Sequence, residues 1–193
     1  MASPISPWTT PQLLNLLRPR RLPDEVRYGM LEGIVKDHGF TIVSFLDERV
    51  YGGQVVPWGV VKLYEHPALP LRFRTTRLLH EAVHILRMTT LYPRLKRLGP
   101  WWWGLCYLLN PWYRRREEKL AEAHETALRG AQAGASNTAT ALAHHVSARL
   151  GGWFRSPYFA GGDEKQIRQQ IAEMAVQLRR WAGGILLMDD PDQ

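Results

Sequence analysis

Leu78-Leu79-His80-Glu81-Ala82-Val83-His84-Ile85-Leu86 is the stretch on which the reading of this chain turns. Leu78, Leu79, Val83 and Ile85 recur at helical spacing around two histidines, so the segment predicts a buried helix. On a helix, residues i and i+4 sit one above the other on the same face, and both imidazoles can reach one ion. Zinc takes a neutral imidazole nitrogen at about 2.0–2.1 Å, and a catalytic zinc keeps three protein ligands plus a water. Glu81 follows the first of these ligands and lies beside that water, positioned as its general base. A shuffled chain of this composition would show the same pattern roughly once in eighty trials. Its surroundings raise it above chance, because burying two histidines and a glutamate among leucines is costly unless they are paired or metallated.

A third ligand is required. The metzincin pattern wants another histidine six residues after His84, but Thr90 stands there, so a carboxylate must come from elsewhere. Glu117, Glu118, Glu122 and Glu125 all fall on a helix predicted from about Tyr113 to Arg129. With Glu118-Lys119-Leu120-Ala121-Glu122 the chain resembles the gluzincin branch of the zincin metallopeptidases, especially the small forms, from roughly Gly29 to Arg129. In those, a helix, a short sheet and the H-E-x-x-H helix precede a second helix bearing a Glu-x-x-Ala-Asp/Asn-like element. The resemblance implies a catalytic zinc on His80, His84 and Glu118, with Glu81 activating water for attack on a peptide carbonyl. Glu122 stands where Asp or Asn is usual and is the runner-up ligand. The resemblance further implies that His124 steadies an oxyanion, and that an edge strand binds substrate backbone as an added strand. Val60–Tyr64 is the candidate strand, with Val60, Lys62 and Tyr64 facing substrate. Plain alternatives accompany each reading: the acids as a solvated face paired with Arg114–Arg116 and Lys119, His124 as a surface or core residue, Val60–Tyr64 as a core strand. His38, His66, His144 and His145 read as structural.

Outward from the motif, the pattern predicts one α+β domain. Thr10 caps a helix starting at Pro11 and stopped by Pro19; a second runs from Asp24 to Gly39 with Val26, Met30, Leu31, Ile34 and Val35 as its apolar face. Phe40–Leu46 and Val55–Tyr64 read as strands around turn chemistry at 47–53, with Pro57 marking a late start, a bulge or an edge. Thr75 or Thr76 caps the motif helix and Pro93 ends it. Thr138–Leu150, closed by Gly151-Gly152, and Asp163–Trp181 are the last helices, after a loop or weak point at Gly130–Asn137. The expectation is a single zincin-like domain over 1–193, with a core at about 24–129 and a helical extension at 138–182.

Pro100–Trp112 holds four tryptophans, Tyr107 and Cys106, flanked by Arg94, Lys96 and Arg97 and by Arg114–Arg116. It reads as a buried insertion, as a surface for substrate or an assembly partner, or as a wedge into an anionic membrane surface. Nucleic acid is disfavoured, since no oligonucleotide-binding pattern accompanies these aromatics.

Composition narrows the classes. The 45% hydrophobic and 22% charged content excludes wholesale disorder, and one cysteine excludes a disulfide-stapled fold. No apolar run reaches the roughly 18 residues of a membrane span, and no signal peptide is visible, which predicts a cytoplasmic protein, with peripheral membrane association or a virion as further settings. The net charge of +7 suits an anionic partner without choosing one. The expected function is a zinc-dependent metallopeptidase acting on a peptide or protein substrate. The alternative is a structural, assembly or binding protein, cellular or phage-borne, on a zincin scaffold with metal structural or absent.

Overall fold

A computed structural model describes residues 9–18, 22–46, 52–56, 59–65, 69–90, 98–146 and 163–188. Residues 47–51 of the turn expected at 47–53, with Pro57, His66, Pro67, Pro93, Arg94, Lys96, Arg97 and the Gly151-Gly152 stop, lie outside the described residues, and Gly52 and Gly53 belong to a strand. The described residues are mostly helical with one three-stranded sheet, a loose α+β class. They fall into two compact units, residues 23–117 and residues 1–22 with 118–193.

The unit of residues 23–117 begins with helix α2 (Asp24–Asp37; α1 is Pro11–Leu16), which opens with Asp24 and Glu25 where the helix dipole favours acids. Gly39, at φ 79°, follows its end. The buried face keeps Leu31, Ile34 and Val35, but Val26 and Met30 are exposed, and Arg27 is buried instead. Asp24, one turn earlier, makes that possible by pairing with the Arg27 guanidinium at 3.4 Å.

Strand β1 (Thr41–Leu46) forms as the β-branched run predicts. The run from Val55 to Tyr64 does not make one strand. It divides at Gly59 into β2 (Gly52–Val56) and β3 (Val60–Glu65). Gly59 has φ 93° and donates its N–H to the Val56 carbonyl at 3.1 Å, a reversal that glycine alone makes freely. The strand order is β1-β3-β2, with β1 parallel and β2 antiparallel to β3. The edge placement of Val60–Tyr64 is therefore corrected: β3 is central. Val60, Lys62 and Tyr64 align with Thr41, Val43 and Phe45 on one side and with Val56, Gln54 and Gly52 on the other. An added strand needs a free row of main-chain groups, and β3 spends both rows inside the sheet. Val61 and Leu63 are buried, and helix α3 (Leu71–Thr90) packs against α2, β2 and β3.

Helix α3 begins directly after Pro70, not at a Thr75 or Thr76 cap. Both threonines lie inside it, donating to the carbonyls of Leu71 and Phe73 at 2.9 Å each, so their hydroxyls are satisfied on the preceding turn. Every residue from Thr75 to Met88 is buried. Helix α4 (Gly99–Leu109) follows and packs on α3. Helix α5 (Pro111–Gln132) starts two residues before Tyr113 because Asn110 caps it: the Asn110 Oδ1 accepts from the N–H groups of Trp112 and Tyr113 at 3.0 and 3.1 Å.

In the unit of residues 1–22 and 118–193, Thr10 caps α1 (Pro11–Leu16) by accepting from the Leu13 N–H at 3.3 Å. Leu13, Leu14, Leu16 and Leu17 are buried. Helix α6 (Ala139–Ala143), capped by Thr138, is shorter than the expected Thr138–Leu150, and α7 (Glu164–Met188) outruns the expected stop at Trp181. Helices α1 and α6 both lie against α7, whose buried Ile167, Ile171, Ala175, Leu178 and Ala182 recur at helical spacing.

Two glycines in this unit make opposite predictions. A Cβ on Gly130, inside α5, would sit 2.3 Å from the Cδ2 of Leu142, which is fully buried. Gly183, inside α7, has nothing within 4 Å of that position. Gly183→Ala is expected to gain roughly 0.5–1 kcal/mol from helix propensity alone. In Gly130→Ala an overpacking cost of about 1–3 kcal/mol outweighs that gain. Urea unfolding of the two variants checks the opposite signs.

Among the described residues, no helix is long and apolar enough to cross a membrane.

Candidate metal centre

His80, His84 and Arg87 follow one another at i, i+4 and i+7 along α3, which places them on one helix face. His80 is 1% exposed, Glu81 2% and His84 4%. The Nε2 atoms of His80 and His84 stand 3.3 Å apart, with the rings edge to face. Glu118, on the second turn of α5, is also buried; ligand-capable atoms of His80, His84 and Glu118 all lie within 4.8 Å of one another. The structure thus brings together the three residues expected as ligands.

The donor set fits a divalent ion such as zinc. Two imidazole nitrogens bound at about 2.0–2.1 Å in tetrahedral geometry are separated by roughly 3.3 Å, the spacing seen here. Two nitrogens and a carboxylate oxygen are also the donors that zinc prefers in open sites. Glu122, the alternative ligand, belongs to a second group with His80 and Glu125, likewise within 4.8 Å. Both carboxylate registers of α5 therefore share His80.

The acids of α5 are not a solvated face. Glu117, Glu118, Glu122 and Glu125 are all at most 2% exposed. Glu117 accepts from Arg87 twice, Nε to Oε2 at 2.9 Å and a terminal nitrogen to Oε1 at 2.7 Å, with the Trp103 indole N–H 3.4 Å from the same Oε2. Glu125 pairs with Arg129 one turn on. Lys119 donates to the Gln170 side chain at 3.1 Å.

Glu81 has a guanidinium beside it: Arg77 Nε lies 3.5 Å from its Oε1, and both side chains are buried. On the other flank of the histidines, α4 supplies an aromatic wall. The rings of Trp103 and Tyr107 are stacked with centroids 4.9 Å apart, and each meets the His84 ring, at 5.5 and 6.0 Å. Arg114 lies over the Tyr107 ring at 5.7 Å.

His124 is corrected. Its Nδ1 lies 2.8 Å from the Leu120 carbonyl and its Nε2 3.0 Å from the Thr9 hydroxyl. Both ring nitrogens are engaged and the residue is fully buried, so neither is left to steady an oxyanion. Its work is to tie the segment before α1 to α5. Of the remaining histidines, His38 Nδ1 lies 2.8 Å from the Ile34 carbonyl at the end of α2, and His144 ends α6. Burial, then the nearby Arg129, His144 and Arg179, hold His145 below the ordinary histidine pKa.

Sequence reasoning missed Arg77, Arg87 and the inward ring pair. A signal existed for the arginines: each falls on the motif's own helix, Arg77 four residues before Glu81 and Arg87 three after His84, at core-facing positions. Trp103 and Tyr107 share a face of α4 by the same i, i+4 rule.

Comparison of the chain with models of protein families, with characterised proteins and with solved structures finds no match.

Proposed function

We propose that the protein is a zinc-dependent metallopeptidase of the gluzincin type, with His80, His84 and Glu118 as ligands and Glu81 as general base. The observation that carries this reading is the 3.3 Å approach of two buried imidazole nitrogens with a buried carboxylate beside them. When bound, zinc supplies a Lewis acid for the substrate carbonyl and a water acidified toward neutrality. The chain's own residues do the rest. Glu81 takes a proton from the attacking water on a carboxylate oxygen and returns it to the leaving amine nitrogen. Arg77 keeps the Glu81 side chain in one orientation through their ion pair. Arg87 and Trp103 hold Glu117, and so fix the rotation of α5 that presents the next residue, Glu118.

A second reading draws on burial. With His80, Glu81 and Glu118 each no more than 2% exposed, the same donor set suits a closed structural ion in a protein of binding or assembly function.

Zinc per chain, measured on protein purified without chelator, tests the centre. The wild type is expected to hold about one ion, and His84→Ala and Glu118→Ala to lose at least tenfold in affinity. Loss on Glu122→Ala alone would move the third ligand by one turn. A wild type that refuses added zinc would overturn the proposal. Peptide-library cleavage then separates the two readings: a zinc-loaded protein that cuts nothing is a structural one.

A further inference from the structure

Helix α4 has two dissimilar faces. Inward lie Gly99, Trp103 and Gly104, buried, with Cys106 and Tyr107 half-buried. Outward lie Trp101, Trp102, Leu105, Leu108 and Leu109, preceded by Leu98, all exposed; Leu108 is 68% and Leu109 74% exposed. At 3.6 residues per turn these six fall within an arc of about 120° that carries no polar side chain. Trp112, 74% exposed, opens the next helix beside them. A helix on a protein surface ordinarily turns polar residues outward, and a continuous apolar patch of this kind marks a contact site.

Charge identifies the occupant. From residue 94 to residue 116 the sequence holds six arginines and lysines and no aspartate or glutamate. Arg116 is exposed, and the Arg115 guanidinium lies over the Trp112 ring at 5.0 Å. Apolar side chains and tryptophans within a stretch of sequence rich in cations match the boundary of an anionic bilayer, where acyl chains take the first, headgroups the second and lipid phosphates the third. At 11 residues the helix is about 16 Å long, roughly half the hydrocarbon thickness, so it lies along the interface and does not cross it.

We propose that the outward face of α4, with Arg115 and Arg116, docks the protein on an anionic phospholipid surface. This inference is independent of the metal centre and of any hydrolysis. The test is flotation of the full chain with phosphatidylcholine vesicles, with and without phosphatidylglycerol. The wild type is expected to float only with the anionic vesicles and to be released by salt. Leu105→Gln with Leu108→Gln and Leu109→Gln, all at exposed positions, is expected to bind roughly tenfold more weakly or worse, with an unchanged circular dichroism spectrum. Arg115→Glu with Arg116→Glu is expected to lose the preference for anionic lipid. A wild type that stays in solution with anionic vesicles overturns the proposal, as does a triple variant that floats undiminished. Self-association abolished by the triple variant, without lipid binding, also overturns it and makes a second copy the occupant. Each of these failures leaves the zinc measurement standing.

Discussion

Glu117→Ala is expected to destabilise the protein by about 3–5 kcal/mol, the cost of leaving a buried charge without its partner. Arg87 and Glu117 are 5% and 0% exposed, and they meet through two parallel hydrogen bonds, so water cannot take over for the missing carboxylate. Urea unfolding followed by circular dichroism reads the loss. The companion variant decides its cause. Arg87→Met with Glu117→Leu removes both charges and keeps apolar volume, and it is expected to recover most of the stability. If the double variant is as unstable as Glu117→Ala, the ion pair is not what the single substitution breaks. Zinc affinity adds a second readout, because a freed α5 presents Glu118 less well.

Glu81→Gln is expected to cut peptide hydrolysis by about 10²–10⁴-fold while leaving zinc content unchanged. The substitution keeps the shape and a hydrogen-bond acceptor for Arg77, but it cannot take up a proton. Parallel loss of zinc would make Glu81 a ligand or a structural support. Undiminished turnover with zinc retained would remove it from the chemistry.

The parts of the fold that were legible in the sequence are those set by local chemistry. Thr10-Pro11, Asp24-Glu25 and Gly39 mark helix ends because each acts on groups within one turn of itself. His80, Glu81 and His84 were legible for the same reason, since helical spacing alone puts them together. The misreadings are long-range. Nothing within Val60–Tyr64 shows that β1 lies along one side of it and β2 along the other; strand order depends on pairing between segments far apart in the chain. The oxyanion reading of His124, set beside a surface or core role, falls only when Thr9, 115 residues away, is found against its Nε2. Glu117 and Glu118 are neighbours on one helix, yet one pairs with an arginine and the other joins two histidines; which does which follows from the rotation of α5, not from its composition. Pro100–Trp112 was read first as a buried insertion, whereas Trp101, Trp102 and Trp112 are exposed and Trp103 alone of the four is buried.

The discontinuity of the unit formed by residues 1–22 and 118–193 has a consequence for biosynthesis. Residues 23–117 are contiguous, so every part of that unit has been synthesised once residue 117 is made. Helix α1 is made first, but α7, the helix it packs against, begins only at Glu164. At about 5–20 residues per second the nascent chain carries Leu13, Leu14, Leu16 and Leu17 without their native cover for roughly 7–30 s. That interval is when the chain is most open to chaperone capture or to aggregation, and slowing translation beyond residue 117 should lengthen it without touching the folded state.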